Sequence, residues 1–190
     1  MNNTDYEKYK KILAERLNEK RYFHSLCVAD EAKRLAIKYG ADAEKCYLAG
    51  LLHDITKNSS NEEHLKIFNT FGIMLTAEEG SFKLWHAISG AIYIKYILNI
   101  DDNDIYDAVR YHTTAKANMS LMSKILYLAD YTSRDRDYED VDVMRKLVDI
   151  SIEDAMKYAL KYTIKDLVDL DRVVHPDTIS AYNEIMLNSK

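Results

Sequence analysis

Residues 81–98 have the sequence SFKLWHAISGAIYIKYIL, the most apolar stretch of the chain. Its apolar side chains fall on more than one side of a helix, a pattern typical of a helix inside a bundle. We therefore predict a central helix here, with His86 set among apolar residues. No stretch shows convincing period-two alternation bounded by turn residues, so no strand is predicted.

Helical periodicity continues on both sides of this stretch. Before it, helices are expected over residues 5–19, 22–39 and about 42–54, and a loop at 58–61 should cap a short helix. After it, helices are expected from 101–102, over 120–131, near 143–150, over 151–168 and from 175 onward, with a charged loop at 132–142. Gly40 is expected to end the second helix, and Pro176 suits a first helical turn.

Turn-forming residues are scarce, because the 190 residues include one proline and five glycines. This composition excludes collagen-like, low-complexity and Gly/Pro-rich all-β chains. Together with the 47% of hydrophobic residues, this composition predicts a compact all-α bundle of about eight to ten helices with no significant sheet. We expect a single domain over residues 1–190, with a functional core at about 20–136 and C-terminal helices at 143–189 packed on it.

Charge, hydropathy and cysteine content limit the binding partners and the cellular compartment that we expect for this protein. The net charge of −5 differs from the basic footprint of a protein that grips nucleic acid. The chain contains no apolar run of 18 residues, so no membrane span is predicted. Its polar N-terminal segment is unlike a signal peptide, and we therefore expect a cytoplasmic protein. Cys27 and Cys46 lie in apolar periodic stretches and are expected to be free, buried thiols.

Four histidines and two aspartates carry the chemistry of the chain. They are His24, the adjacent pair His53-Asp54, His86, His112 and Asp130. A helical bundle can project such side chains from facing helices onto one point, and imidazole with carboxylate suits first-row divalent metals. Of the remaining histidines, His64 is expected on the surface of a short helix, and His175 is expected to help start the last helix.

The order of these residues resembles the H…HD…D pattern of the HD-domain superfamily of metal-dependent phosphohydrolases. Other segments resemble one branch, the YqeK-type family. They are Arg21–Ser25 (R-x-x-H-S), His53–Lys57 (H-D-x-x-K), His112–Thr114 (H-T-T), Met119-Ser120 (M-S), Lys124–Tyr131 (K-I-x-x-x-A-D-Y) and His175–Thr178 (H-P-x-T). The resemblance spans roughly residues 10–185. It implies an HD-type helical domain that cleaves diadenosine tetraphosphate symmetrically to two ADP.

The resemblance also implies a site with two divalent metal ions. One would be held by His24, His53, Asp54 and Asp130, the second by His86 and His112, with Asp54 bridging them. Iron is the first choice, and manganese, cobalt, nickel or zinc are alternatives. A water bridging two such ions would become the hydroxide that attacks phosphorus.

Catalytic roles and substrate contacts are expected at two sets of residues that share Lys57 and Arg136. The expected catalytic residues are Asp54, Lys57 and Arg136. Expected substrate contacts come from Arg21, Lys57, Thr113, Lys116 and Arg136, since cations and hydroxyl donors must meet a polyphosphate.

Two segments depart from the pattern of the resembled family. Ala115 and Lys116 follow His112-Thr113-Thr114, where the family usually has glycine. The sequence Thr132-Ser133-Arg134-Asp135-Arg136 stands where the family usually has x-E-P-x-R, so that only Arg136 matches. We expect these departures to affect how substrate is held.

Three other functions stay open at this stage. The chain could be another HD-type nucleotidase or phosphodiesterase with one metal, a nucleotide-binding or signalling HD module with little or no turnover, or a plain helical interaction protein. The expected partner is a small dinucleoside polyphosphate or nucleotide, with no nucleic acid or membrane partner and a possible second copy of the chain in a homodimer.

Overall fold

The computed structural model describes residues 3–76 and 78–188, and within them it consists of ten α-helices and no strand. The helices are α1 (Asn3–Arg16), α2 (Glu19–Tyr39), α3 (Ala43–Leu52), α4 (Asn61–Thr70), α5 (Phe82–Ile92), α6 (Asn103–Arg110), α7 (Leu121–Thr132), α8 (Val141–Ile150), α9 (Ile152–Asp169) and α10 (Pro176–Asn188). The predicted all-α fold is confirmed. The single domain predicted over 1–190 includes residues 1, 2, 77, 189 and 190, which lie outside the described residues, and it stays a prediction. None of the described helices is both long and apolar enough to cross a membrane.

The centre of the fold is the packing of α2 against α3 and α7. The two backbones of α2 and α3 approach so closely that a Cβ on Gly50 would lie 2.8 Å from Ala29 Cα and 2.9 Å from the carbonyl oxygen of Val28. Only a glycine can occupy this position without moving a helix. The contact fixes α3, whose end carries His53 and Asp54, against α2, which carries His24.

The predicted central helix over residues 81–98 lies in the interior, but it changes its winding. Every residue from Trp85 to Ile92 in α5 is buried, as the apolar pattern predicts. From Tyr93 to Ile97 the chain continues as a π-helical turn, and the Leu98 backbone N–H donates to the carbonyl oxygen of Tyr93 (2.9 Å). The prediction of one regular helix to residue 98 is therefore wrong in its last turn, because i→i+5 bonds replace the usual ladder.

Side-chain caps set most of the helix starts. Asn18, Asp42, Ser60, Asp102, Ser120 and Ser151 each accept a bond from a backbone N–H in the first turn of the helix that follows. Gly40 ends α2 with a φ of 76°, as predicted. At the start of α10 the Asp177 backbone N–H donates to His175 Nδ1 (3.1 Å), which confirms the predicted role of His175.

Three further predictions can be compared with the structure. Cys27 and Cys46 are buried and free, as predicted. The loop predicted at 132–142 is shorter, because α7 extends through Thr132 and α8 begins at Val141. The prediction that His64 lies on the surface is wrong: its ring is 4% exposed, and its Nδ1 lies 2.8 Å from the Ser89 hydroxyl oxygen. This hydroxyl supplies the polar partner that a buried imidazole requires.

Candidate metal centre

The six predicted histidine and aspartate residues converge from five parts of the bundle. His24 comes from α2, His53 and Asp54 from the end of α3, His86 from α5, His112 from the turn after α6, and Asp130 from α7. Five of the six residues are at most 4% exposed, and the Asp130 side chain is 18% exposed. Such a concentration of polar groups inside a helical core requires compensation by a ligand or by one another.

Asp54 divides the cluster into two sides. Its Oδ2 atom faces His53 Nε2 (3.3 Å) and His24 Nε2 (4.0 Å). Its Oδ1 atom faces His86 Nε2 (3.2 Å) and His112 Nε2 (3.7 Å), and these two nitrogens lie 3.1 Å from each other. The carboxylate therefore offers one oxygen to each pair of imidazoles.

Asp130 belongs to the side that contains His24 and His53. Its Oδ1 atom lies 2.9 Å from His24 Nε2 and 3.9 Å from His53 Nε2. The two sides correspond to the division of ligands that the family resemblance implies.

Hydrogen bonds from the outer nitrogen to a backbone carbonyl orient two of the imidazoles. His53 Nδ1 donates to the carbonyl oxygen of Gly50 (2.7 Å), and His112 Nδ1 donates to that of Val109 (2.7 Å). Because a carbonyl oxygen can only accept, the proton lies on Nδ1, and the Nε2 lone pair of each ring points into the cluster. Metal-binding histidines in proteins are oriented in this way.

The donor set fits divalent metal ions. His53 Nε2 and Asp54 Oδ1 are buried without a hydrogen-bond partner, although buried polar atoms are nearly always paired. Two overlapping groups have ligand atoms close enough together to hold an ion: His24, His53 and Asp130, and His53, Asp54 and His112. The orphaned atoms are thus the ones at which an ion would be bound.

The protonation states of His53, His86 and Asp54 also suit a metal. Burial lowers the pKa of His53 and lowers that of His86 to about 3. Burial alone would raise the pKa of Asp54, but its contacts with His53, His112 and His86 outweigh burial and hold that pKa well below its usual range. Neutral imidazoles and an ionised carboxylate are the forms that bind divalent ions.

Asp135 is a part of the site that the sequence analysis did not assign. Its Oδ2 atom accepts a hydrogen bond from His24 Nδ1 (2.7 Å). Burial would raise the pKa of Asp135, but hydrogen bonds with His24 and Ser133 outweigh it and lower that pKa to about 2. Asp130 and Asp135 both contact His24. Their hydrogen bonds and charges outweigh the effect of burial and raise the pKa of the His24 imidazole. The one sequence signal was an extra acid in the loop after Asp130.

Three predicted substrate-binding cations lie at the cluster. Arg21 Nη1 donates to Asp54 Oδ2 (2.8 Å). Lys57 Nζ lies 3.0 Å from His86 Nε2. Arg136 Nε donates to the carbonyl oxygen of Asp130 (2.6 Å), and its Nη2 pairs with the Asp130 carboxylate. Arg21 and Lys57 therefore lie at the Asp54 carboxylate, and Arg136 lies at the Asp130 carboxylate.

Thr113 and Lys116 differ in where the structure places them. Thr113 Oγ1 is buried without a partner, in a cavity that His112 also lines. Lys116 Nζ pairs with Asp107 (2.6 Å) and lies 4.3 Å from the centre of the Tyr111 ring. The cavity that Lys116 lines contains none of the six cluster residues, so the predicted contact of Lys116 with substrate has no support in this geometry.

Ala115 has a backbone conformation that favours glycine, the residue that the resembled family usually has at this position. Its φ is 56°, in the left-handed region, and its side chain is fully buried. Glycine adopts this conformation freely, whereas any residue with a Cβ is strained there. The Ala115 backbone N–H donates to the carbonyl oxygen of Tyr111 (2.8 Å), and this bond closes the turn that contains His112.

Comparison with known proteins supplies the family context. The model of the HD domain family matches residues 21–135. A protein of Bacillus subtilis (strain 168) described as bis(5'-nucleosyl)-tetraphosphatase, symmetrical, is 34% identical over 175 residues, which cover 92% of this chain and 94% of that protein. A protein of Halalkalibacterium halodurans with the same description is also 34% identical, over 94% of this chain and 96% of the relative.

A solved structure agrees in fold. The crystal structure of a predicted HD superfamily hydrolase involved in NAD metabolism, from Clostridium acetobutylicum, superposes with a TM-score of 0.93. That protein is 38% identical in sequence, and the superposition covers 96% of this chain and 97% of the other. Similarity in fold and sequence therefore extends over nearly the whole length of both chains.

Proposed function

The chain belongs to the HD domain family and, within it, to the family of the symmetrical bis(5'-nucleosyl)-tetraphosphatases, and we propose that it hydrolyses diadenosine tetraphosphate to two ADP. The observation that carries the proposal is Asp54, whose two carboxylate oxygens each face a pair of histidine Nε2 atoms. Hydrolysis is the reaction class that such a cluster serves. The substrate and the symmetric cut are supported by the two relatives at 34% identity.

The ligand set that we propose contains His24, His53, Asp54, His86, His112 and Asp130, with two divalent ions and iron as the first choice. Ions bound there would lower the pKa of a bound water and offset negative charge on the phosphoryl oxygens. In the overall reaction, the oxygen of water bonds to one of the two central phosphorus atoms. The anhydride bond from that phosphorus to the bridging oxygen breaks, and one ADP leaves.

The residues of this chain contribute binding and orientation. We propose that Arg21, Lys57 and Arg136 hold the phosphate chain, since their cationic groups lie at the carboxylates of the cluster. Burial lowers the pKa of Lys57, and a phosphate beside the ammonium would favour its charged form. The orphaned Thr113 hydroxyl is available to donate to a phosphate or sugar oxygen.

Product analysis tests the proposed activity. The purified protein is incubated with diadenosine tetraphosphate and iron, manganese or cobalt, and the nucleotides are separated by chromatography. ADP as the sole product supports the proposal, whereas AMP with ATP contradicts the symmetric cut. No hydrolysis with any of the three metals would favour a nucleotide-binding module. NAD⁺ is tested in parallel, because the Clostridium relative is described as involved in NAD metabolism.

The number of metal ions is tested separately by removing one side of the cluster. His86 lies only on the Asp54 Oδ1 side, so His86→Ala should halve the bound metal if the site holds two ions. Metal content is measured by elemental analysis and compared with wild type and with His175→Ala, a histidine outside the cluster. Unchanged metal content in His86→Ala would indicate a site with one ion.

A further inference from the structure

A cavity of about 330 Å³ opens beside the metal centre. His112 and Asp130 of the cluster are among the residues that line it. The other walls are Thr113, Tyr131, Arg136, Tyr138 and Tyr162, and we call this space the tyrosine cavity. Its volume lies within the range of small-molecule clefts, roughly 300–1,000 Å³.

Three aromatic rings form one continuous wall of the tyrosine cavity. The ring centres of Tyr138 and Tyr162 lie 5.6 Å apart, and those of Tyr131 and Tyr138 lie 6.5 Å apart. The Tyr138 hydroxyl donates to the carbonyl oxygen of Tyr131 (3.1 Å), and the Tyr131 hydroxyl lies 2.5 Å from Thr163 Oγ1. These bonds hold Tyr131 and Tyr138 by their hydroxyls, so aromatic carbon is the main surface that they offer to a ligand.

The tyrosine cavity also has polar groups beside residues of the cluster. Thr113 Oγ1 is buried without a partner, and Arg136 pairs with the Asp130 carboxylate. A ligand in this cavity thus meets aromatic rings together with a hydroxyl, a guanidinium and two residues of the metal centre. A nucleotide has parts that match both kinds of group, a flat aromatic base and charged phosphates.

A second cavity shows the contrast in wall chemistry. It has a volume of about 310 Å³, shares Arg136 and Tyr138 with the tyrosine cavity, and reaches His24 of the cluster. Its walls add the cations Lys20 and Arg21 and the acids Asp135 and Asp137, with no further aromatic side chain. These walls suit phosphate oxygens, whereas stacking of a base needs an aromatic face.

We propose that the tyrosine cavity binds the purine base of a nucleotide, which packs against Tyr138 and Tyr162 while its phosphates extend past Arg136 to the metal centre. The inference rests on the proposed function, because it assumes that the substrate is a nucleotide. It assigns the base of one half of the dinucleotide to a site formed by the loop before α8 and by α9. These elements lie outside the His and Asp motifs.

Binding measurements on the metal-loaded protein test the proposal. Isothermal titration compares ADP, which has a base, with inorganic pyrophosphate, which has none. Tyr162→Leu should weaken ADP binding by about tenfold, since one stacked base contributes about that much, and should leave pyrophosphate binding within about twofold of wild type. Tyr162→Phe keeps the ring and should bind ADP like wild type.

Tyr158→Leu is the matched control. Tyr158 lies one turn earlier in the same helix and bonds to Asp140 (3.0 Å), and it does not line the tyrosine cavity. This variant should bind both probes like wild type. If Tyr162→Leu binds ADP and pyrophosphate more weakly by the same factor, the proposal is overturned. Unchanged ADP binding in this variant would also overturn it, because the base would then bind elsewhere.

The same variants separate this proposal from the proposed function. If the wild type hydrolyses diadenosine tetraphosphate but Tyr162→Leu has an unchanged KM and unchanged ADP binding, the base site is wrong and the activity stands. If wild type does not hydrolyse diadenosine tetraphosphate, yet ADP binding still falls tenfold in Tyr162→Leu, the activity is wrong and the nucleotide site stands.

Discussion

A single carboxylate outside the metal cluster, that of Asp135, sets the orientation of one proposed ligand. It accepts from His24 Nδ1 at 2.7 Å, so the Nε2 atom of the ring is left to face Asp130 and Asp54. Outer partners of this kind fix the tautomer of a metal-binding histidine and raise its basicity. The carboxylate comes from a loop more than a hundred residues further along the chain.

Asp135→Asn should therefore weaken metal binding by about 10- to 100-fold, because the amide loses the charge that favours the Nδ1–H form of His24. Affinity is measured by competition with a chelator. Asp137→Asn is the matched control, since Asp137 is an exposed acid of the same loop, and its affinity should stay at the wild-type value. Equal affinities in the two variants would show that Asp135 does not orient His24.

Individual residues also show what the sequence could and could not predict. His86 is predictable because it interrupts an apolar helical run, and His53-Asp54 and Asp130 are predictable because they end one. His24 and His112 follow from the order of the histidines and aspartates, which resembles the HD pattern. The burial of His64 was missed, since its partner Ser89 lies 25 residues away on another helix and no local pattern marks such a pair. The role of Asp135 was missed for the same reason, because a loop acid and a helical histidine 111 residues apart meet only in the folded chain.

At the scale of the elements, the close contact of α2 and α3 depends on Gly50. Helix propensity alone would favour alanine over glycine by about 1 kcal/mol, but a Cβ here would lie 2.8 Å from backbone of α2. We expect Gly50→Ala to lower the free energy of unfolding by roughly 1–3 kcal/mol, as overpacking of a core typically does.

Urea denaturation followed by circular dichroism measures this effect. Gly80→Ala is the control, since a Cβ at Gly80 meets nothing within 4 Å, and its stability should be close to wild type. A Gly50→Ala protein as stable as the Gly80→Ala protein would show that the two helices can separate without cost.

The start of α6 gives a pH-dependent prediction. Asp102 accepts from the backbone N–H groups of Asp104 and Ile105 and pairs with Lys45 (2.7 Å). Burial would raise the pKa of Asp102, but these hydrogen bonds and the ion pair outweigh it and lower that pKa. The charged form is thus favoured in the folded state, and its stabilisation is present above the unfolded pKa of about 3.9 and is lost as pH falls through the lower folded pKa.

Two variants separate the cap from the charge. Asp102→Ala should cost about 1 kcal/mol near neutral pH, because it removes the cap. Asp102→Asn keeps an accepting oxygen and should cost less, and its difference from wild type should vanish at acid pH. Urea titrations at pH 7, 5 and 3 provide the comparison. A difference between wild type and Asp102→Asn that is as large at pH 3 as at pH 7 would exclude the charge as its source.

Helix starts and ends were largely predictable, whereas changes of winding were not. Asn, Asp and Ser caps act through local hydrogen bonds, so the loops before α4 and α6 could be placed from the sequence alone. The π-helical turn at Tyr93–Ile97 continues the largely apolar run of the helix before it. Periodicity therefore does not mark the change of winding.

At the scale of the molecule, the metal centre joins parts of the bundle that are far apart in sequence. The proposed ligands meet at one point and come from α2, the end of α3, α5, the turn after α6 and α7. An ion bound there links these elements only when the chain is folded. Metal at about a thousand times its Kd adds about 4 kcal/mol to stability. In a chain of this size each kcal/mol changes Tm by roughly 2–4 °C, so excess chelator should lower the Tm of the metal-loaded protein by roughly 10 °C.

Paired scans by differential scanning calorimetry, with and without chelator, measure this shift. Asp130→Asn is nearly isosteric and removes one proposed ligand, so its shift should be clearly smaller than that of wild type. His175→Ala removes a histidine that lies outside the cluster, at the start of α10, and it should keep the full shift. The comparison uses the shift within each variant, so a general loss of stability from either substitution cancels. Equal shifts in the two variants would mean that the stabilising ion binds somewhere other than Asp130, and the absence of any shift in wild type would mean that the bundle folds to the same stability without metal.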